Sequence, residues 1–548
     1  MTTLPDGVIK LSGNRWAHPG NRRCVIWVTN EQDKTRLSKL PGVSFRDHAM
    51  SLPLTEESLA GLRKFGLDIA GLEPFHFYYQ PPKVEGQYKA MPHQLETAAF
   101  LSVHPRAYCT STMRTGKTGA VVLALDYLNR VKQAPGAALI VSPVSVMRGV
   151  WARTIQTTLP WAAVSVLHGG TGRADRLKKL AVPAQYYIIN YDGLAMIEDE
   201  LNDLVRQGVI GKVVFDELNH YGNTDSKRYK AAEHIVNGQS PCPYVWGLTG
   251  TPGGNVEAVY GYARLINFEE MPWKRKSSWI EKTRYRYGLQ AWQWKDRAEA
   301  SSLIKMVMQP NIRYRKEDVL DLPPVLWSRR ESELSAAQSK LYKKLRNDMI
   351  ALTDNGQVVE ALQQSALIGK LFQVALGMVI TESGKVDRVD NKPRLAVLEE
   401  LILESERKTV VFCSYTAALD DLVDHLNKKK IPTDKVDGSV TGLARERIFD
   451  DFQNKDNLKV LVAHPKTTAY GVELAAADQM IFNGPILSGV HTYMQGVERL
   501  SSGKQTAGRI SIIQLTATDE ERAFFSALDS KMSVAEATAK LFAQLTGR

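Results

Sequence analysis

Two periodicities alternate along the chain. Between Tyr88 and about Asn267, short β-branched apolar runs (AYCTST, AALIVSP, QYYIINY, KVVFDE and YVWGLTG) are separated by longer amphipathic or polar stretches. This is the rhythm of βαβ units, in which parallel strands buried on both faces alternate with covering helices. The same rhythm returns after Lys408 in KTVVFCSY, KVLVAHP, QMIFNGP and RISIIQL. Between these regions, residues 268–395 lack buried-strand runs and carry the helical patterns SAAQSKLYKKLRNDMIALTD and GQVVEALQQSALIGKLFQVAL. Near the start, CVIWVTN predicts a strand. LPGVSFRDHAMSLPLTEESLAGLRKFG predicts a strand, a Pro-containing turn and a helix capped by Thr55, with Glu56 and Glu57 where the helix dipole favours them. A break at Gln80, Pro81 and Pro82 closes that segment. The pattern predicts an α/β chain in four parts: a small N-terminal α+β module (1–82), a first parallel-sheet lobe (83–267), a basic, aromatic helical insertion and linker (268–395), and a second parallel-sheet lobe with a C-terminal helix (396–548).

Composition agrees with several globular cores, at 548 residues, 44% hydrophobic and 24% charged. No apolar run reaches the roughly 18 residues that span a bilayer, and the start MTTLPDGVIKLSG lacks a basic segment followed by an apolar one. A soluble, unexported, cytoplasmic chain without a membrane partner is expected; a monomer is compatible with the sequence, and protein partners are left open. Seventy Lys and Arg against fifty-nine Asp and Glu leave a formal charge of +11, which favours a polyanionic partner. Cys24, Cys109, Cys242 and Cys413 lie far apart with no CxxC pair, so reduced core thiols are expected and neither a zinc site nor a disulfide framework.

The strongest chemical signal is STMRTGKT, Ser111 to Thr118, placed between the strand AYCTST and the apolar helix pattern GAVVLALDYL. A phosphate loop needs this context: backbone N–H groups and a helix N-terminus face the phosphates, a lysine (Lys117) reaches the outer ones and a hydroxyl (Thr118) binds magnesium. Ser111 stands where such loops carry their first glycine. KVVFDE then supplies a buried strand ending in Asp216 and Glu217, suited to holding magnesium and orienting water respectively. Thr249, Gly250, Thr251 and Pro252 come after a further strand. Between Trp273 and Arg297, eight cations, Arg284 and Arg286 among them, interleave with six aromatics against two acids. Such a segment suits phosphate contact and base stacking, or else a helical insertion with aromatics inside and charges outside.

In order, MPHQ, STMRTGKT, LIVSPVSVMRGVW, IINYDGL, FDELNHYGN with SKRYKA, GLTGTP, RYRKEDVLDLPP, KPRLAVLEELI, VVFCSY, TTAYGVEL and YMQGVER resemble helicase superfamily two, and within it the Swi/Snf-type DNA translocases, over roughly residues 85 to 545. The resemblance implies two RecA-like lobes binding ATP and magnesium in a cleft between them. It implies that Gln94 reads adenine and that Arg114, Thr115, Gly116, Lys117 and Thr118 cradle phosphates. Thr118 and Asp216 would hold magnesium and Glu217 would activate water. Thr249, Gly250, Thr251 and Gly471 would couple nucleotide state to DNA, and Gln495 and Arg499 would approach the nucleotide from the second lobe. Pro143, Asn190, Ser414, Thr467 and Thr468 would face nucleic acid. The N-terminal pattern also resembles the recognition domain of HepA-related annealing helicases, pointing to branched DNA and to work in fork remodelling, repair or recombination.

Three positions depart from the pattern. Asn219 replaces a frequent histidine, Glu473 replaces an asparagine, and Ser502 replaces a second arginine three positions after Arg499. With Gly503 as the expected helix stop, Arg499 is the arginine left to serve the transferred phosphoryl group. The sequence therefore predicts an ATP-dependent translocase or helicase on duplex or branched DNA. An RNA or single-strand helicase and a poorly hydrolysing nucleic-acid-binding scaffold are the alternatives.

Overall fold

The computed structural model describes residues 9–10, 15–18, 23–65, 72–82, 89–168, 172–250, 256–287, 293–354, 361–381, 383–440, 442–468, 474–502, 505–530, 532 and 534–546. The chain divides into two compact units, residues 1–319 and 320–548.

The first unit opens with five antiparallel strands, β1 (Ile9–Lys10), β2 (Arg15–His18), β3 (Arg23–Trp27), β4 (Ser44–Arg46) and β5 (Ala49–Pro53), in the order β1-β2-β3-β5-β4. Alternation sets the buried face: Cys24, Ile26, Met50 and Leu52 pack with Leu37 of the helix Glu31–Leu37 and with Leu59 and Leu62 of the helix Glu56–Lys64. Thr55 caps that second helix, accepting from the Ser58 N–H at 3.2 Å. The expected single strand is a hairpin: β4 and β5 meet around Asp47, whose φ of 55° is a left-handed conformation that aspartate tolerates, and Pro53 closes β5 ahead of the capped helix.

The segment before the Pro-rich break is docked onto the helices Pro92–Ser102 and Lys117–Arg130. Val103, the C-cap of the first of these, joins the core of the N-terminal module. Phe75 lies 5.4 Å from the Tyr127 ring, and the Tyr79 hydroxyl donates to the buried Asp126 at 2.6 Å. Arg130, bonded to Asp126, lies over both Tyr79 and the exposed Trp161.

Seven parallel strands form the centre of the first unit: β6 (Arg106–Cys109), β7 (Ala137–Val141), β8 (Val164–Val166), β9 (Tyr186–Ile189), β10 (Ile210–Phe215), β11 (Tyr244–Leu248) and, after the hairpin β12 (Arg284–Tyr287) and β13 (Gln293–Asp296), β14 (Asn311–Ile312). Their order is β14-β6-β11-β10-β7-β9-β8. In the second unit β15 (Val325–Glu331), β18 (Lys408–Phe412), β19 (Thr433–Val436), β20 (Val460–Ala463), β21 (Ala477–Asn483) and β22 (Ile510–Thr516) form a parallel sheet in the order β15-β22-β21-β18-β20-β19. A separate small hairpin pairs β16 (Met378–Ile380) with β17 (Val386–Arg388). Each unit is a RecA-like α/β layer.

The region 268–395 is less helical than its sequence suggests. Its two long helices form, as Ala336–Asp354 and Ala361–Ala375, but β14 pairs with the first sheet and β15 with the second. The basic, aromatic stretch is a short helix, Lys276–Thr283, leading into the β12–β13 hairpin. RYRY and QWKD alternate with a period of two, which suits an exposed hairpin better than a helix. No described helix is long and apolar enough to cross a membrane. All four cysteines are buried and free.

Candidate functional site

The strand that enters the phosphate loop, β6, is separated from the acid-bearing strand, β10, by β11 alone. All three run parallel, so Ser111–Thr118, Asp216–Glu217 and Thr249–Gly250 leave the sheet at one carboxyl edge, where open parallel sheets bind their ligands. Pro143 and Asn190 come after β7 and β9 at the same edge. Pro143 caps the helical turn Val144–Val146. Asn190 is buried and caps the helix Tyr191–Met196. Thr251 lies outside the described residues.

Arg114 and Gly116 give the loop its shape, with φ of 69° and 75°. A Cβ on Gly116 would come within 1.9 Å of the Gln94 Nε2, so the position requires glycine. Gln94, expected to read adenine, holds the loop itself: its Nε2 donates to the Thr115 carbonyl at 3.2 Å and its Oε1 accepts from the Met91 N–H at 2.9 Å. His93 Nε2 meets the same carbonyl at 2.8 Å. Lys117 opens the helix Lys117–Arg130, and its Nζ donates to the carbonyls of Ser111 and Thr112 at 2.9 and 3.1 Å. Ser111 is built in: its buried Oγ accepts from the Tyr314 N–H at 3.0 Å, and the Thr112 Oγ1 accepts from the Lys316 N–H at 2.8 Å.

At the end of β10, burial first and the adjacent Glu217 second push the Asp216 carboxyl up to about 6, while the Trp151 indole and Lys117 pull it down. Trp151, fully buried on the helical stretch Met147–Ala152, donates Nε1–H to Asp216 Oδ2 at 2.8 Å. The Asp216 Oδ1 accepts from the Glu217 N–H at 3.1 Å, and the Tyr191 hydroxyl donates to the Asp216 carbonyl at 2.8 Å. Glu217 has a φ of 50°, a conformation costly for a non-glycine residue and characteristic of functional turns. The Asn219 amide, with its nitrogen toward Glu217, donates to the Glu217 carbonyl at 2.9 Å and to Oε2 at 3.3 Å. The residue in the histidine's place therefore orients the carboxylate.

In the second unit Ser414 comes after β18, and its hydroxyl donates to the Pro485 carbonyl at 3.0 Å and accepts from the Leu487 N–H at 3.2 Å. Thr467 Oγ1 donates to the carbonyls of His464 and Val436 at 2.7 and 3.1 Å. The Thr468 side chain, Gly471 and Glu473 lie outside the described part of the chain. Gln495 and Arg499 are both buried, Gln495 within the helix Val490–Glu498 and Arg499 as its C-cap. The helix stops before the Gly503 suggested by the sequence. Gly496 lets it lie against β18, where a Cβ would meet the Phe412 ring at 2.8 Å.

The helicase conserved C-terminal domain family matches residues 393–504. Protein CHROMATIN REMODELING 5 of Arabidopsis thaliana is 23% identical over 67% of this chain and 22% of its own length. The SWI/SNF-related matrix-associated actin-dependent regulator of chromatin subfamily A-like protein 1 of Xenopus laevis is 25% identical over 78% of this chain and 42% of its own. The chain thus carries a helicase conserved C-terminal domain and is similar along most of its length to Swi/Snf-type members of helicase superfamily two. It spans well under two thirds of the length of these relatives. Among solved structures, the Sulfolobus solfataricus SWI2/SNF2 ATPase core in complex with dsDNA matches 83% of this chain and 93% of that one, at 18% identity and a TM-score of 0.40.

Three residues of the chain carry no recognisable role in the sequence alone. Trp151 lies within the LIVSPVSVMRGVW motif, but its bond to Asp216 spans sixty-five positions and has no local signal. Tyr314 reaches the phosphate loop from β14, its ring 5.7 Å from His93 and its hydroxyl bonded to Glu96. Asn219 stands out in the sequence only as a departure. Arg284 and Arg286, paired in expectation, differ in place: Arg284 is held by Asp296 at 3.1 Å and Glu257 at 3.9 Å, whereas Arg286 is exposed over the Trp294 ring at 5.0 Å.

Proposed function

We propose that the chain is an ATP-dependent DNA translocase or helicase acting on duplex or branched DNA, as a motor in fork remodelling, repair or recombination. The observation that carries the reading is the gathering of Gln94, Lys117 and the Asp216–Glu217 pair at one carboxyl edge of the first sheet. The residues fit a magnesium nucleotide: the Gly116 turn admits no side chain, the helix N-terminus that Lys117 opens suits an anion, and Thr118 and Asp216 offer hard oxygen donors suited to magnesium. Magnesium there would neutralise charge on the outer phosphates. Lys117 would bind those phosphates and Glu217 would orient the attacking water, with Gln495 and Arg499 of the second unit as further candidates for a part in hydrolysis. The charge of +11 supports a polyanionic track, and the word chromatin in the names of the relatives supports a substrate of that kind.

Phosphate release tests this with blunt duplex, forked DNA, single strands and RNA in turn. Stimulation by duplex or forked DNA that Lys117→Ala abolishes, with most DNA affinity retained, is the expected result. Stimulation by RNA alone selects the RNA helicase. Absence of stimulated hydrolysis selects the scaffold, which the replacement of the second arginine by Ser502 favours.

A further inference from the structure

The β12–β13 hairpin is firmly rooted and carries exposed aromatic rings. Its base is set by Trp279, fully buried in the preceding helix with its Nε1–H donating to the Val256 carbonyl at 2.8 Å. Arg297, just past β13, donates backbone N–H to the Thr283 carbonyl at 2.8 Å and Nε–H to the Glu281 and Arg284 carbonyls at 3.1 and 3.2 Å. Arg284 closes the root against Asp296 and Glu257, and Glu257 also holds Lys276 at 2.6 Å. Those acids are thus matched within the root.

Beyond the root the register pairs Arg286 with Trp294 and Tyr285 with Lys295. Paired residues share a face of a hairpin, so Arg286 and Trp294 lie on one face and Tyr285 and Lys295 on the other. Trp294 is 37% and Tyr285 38% exposed; Arg286 lies 5.0 Å from the Trp294 centroid and Arg297 5.8 Å from that of Tyr285. Two exposed rings cost free energy in water, and the cations beside them call for an anionic occupant. Duplex DNA satisfies the charges but not the rings, since its bases are stacked inside and offer only edges in the grooves. Unpaired nucleotides satisfy both, because every base has a face to stack and a phosphate beside it.

We infer that the β12–β13 hairpin is a stacking site for unpaired nucleotides, with Trp294 and Tyr285 taking bases, Arg286 and Lys295 the adjoining phosphates, and Arg284 serving as an anchor. This rests on the proposed reading of the chain as a DNA motor and narrows it to DNA with single-stranded arms or gaps.

The test uses the full chain and fluorescence anisotropy with blunt duplex and with a fork bearing unpaired arms of arbitrary sequence. Trp294→Ala is expected to weaken fork binding by roughly five- to 150-fold, the worth of one stacked base, and to leave blunt-duplex binding within about twofold. Trp294→Phe keeps a ring and should restore most of the loss, which a merely misfolded hairpin would not allow. Arg286→Ala should weaken fork binding and lower the salt slope by about one. Equal losses on fork and duplex, or an unchanged fork affinity in Trp294→Ala, overturn the stacking site while leaving the motor intact. A wild-type chain that binds neither DNA overturns both.

Discussion

Replacing Trp151 by phenylalanine isolates one hydrogen bond at the acid pair. The ring stays in its buried place while the N–H aimed at Asp216 Oδ2 at 2.8 Å is removed. A hydrogen bond to a charged group contributes about 1.5–3 kcal/mol, and each 1.36 kcal/mol is about tenfold. The metal-competent, ionised Asp216 should therefore become roughly ten- to 150-fold harder to populate. The direction is set by the charges. Burial and Glu217 already raise this carboxyl to about 6, and the indole lowers it; without the indole it rises further. A protonated carboxyl does not ligate magnesium, so the proton competes more effectively and the acid limb of magnesium binding moves to higher pH. Magnesium titrations monitored with a fluorescent nucleotide analogue, repeated between about pH 5.5 and 8.5 to bracket the titration of such a carboxyl, read this directly, as does the magnesium requirement of hydrolysis. Nucleotide binding in EDTA should be nearly unaffected, since Lys117 and the loop backbone are untouched. Superimposable magnesium titrations for Trp151→Phe and wild type across that range would show that the indole does not control Asp216. A melt close to wild type excludes general loss of the core.

Arg499→Ala is expected to lower turnover by at least about a hundredfold with little change in nucleotide affinity, because an arginine finger acts mainly in the transition state; near-normal turnover would place the finger elsewhere. Arg394→Ala should destabilise the second unit by about 3–5 kcal/mol, since it strands Glu521, its fully buried partner at 2.9 Å, and removes donors to Asn483, Ala375 and Leu515; calorimetry of the full chain with an unshifted transition would refute this. A chain begun at Leu72 should be more stable than one begun at residue 83 by about 2–4 kcal/mol, because the longer one keeps the Tyr79–Asp126 bond and the Phe75–Tyr127 contact. Equal denaturant midpoints would show that this docking contributes nothing. On the proposed reading, both chains retain DNA-stimulated hydrolysis and keep the part of the fork preference that the hairpin supplies, losing only the part that the N-terminal module is expected to add.

The legible and illegible strands divide by position in their sheets. The interior strands of the first sheet, β6, β11, β10, β7 and β9, and of the second, β22, β21, β18 and β20, all stand out as apolar runs. The edges β8, β14, β15 and β19 do not. An edge strand need bury only part of its surface, as β15 does with two exposed apolar residues, Leu326 and Trp327, and its sequence carries no continuous run. The site divides in a similar way. Ser111–Thr118 and Asp216–Glu217 are legible because strand, turn and chemistry are contiguous. Trp151 and Tyr314 act across gaps in sequence, and only the fold brings them to the loop and the acid. The hairpin differs from its expected helix for another reason: its mixture of cations and aromatics suits either element, and only the period of two in RYRY and QWKD separates them.

Net charge, the other clue to function, mixes two kinds of cation. Arg394 faces Glu521 in the core, Arg106 donates to Asn237 and to the carbonyls of Val236, Cys242 and Ile266, and Lys212 is buried in the middle of the first sheet. None of these three meets a polyanion. Lys212 instead connects the two halves of the nucleotide site. Its Nζ donates to Asn129 Oδ1 and to the carbonyls of Ala134, Pro135 and Gly136 at 2.6–3.1 Å, where the helix begun by Lys117 ends and its dipole is negative. Burial pulls the Lys212 ammonium down to about 8. Since Lys212 lies on β10, four residues before Asp216, it fixes the far end of the phosphate-binding helix to the strand that presents the acid pair. Together with the parallel pairing of β6, β11 and β10, this buried cation joins the helix that carries Lys117 to the strand that leads to Asp216.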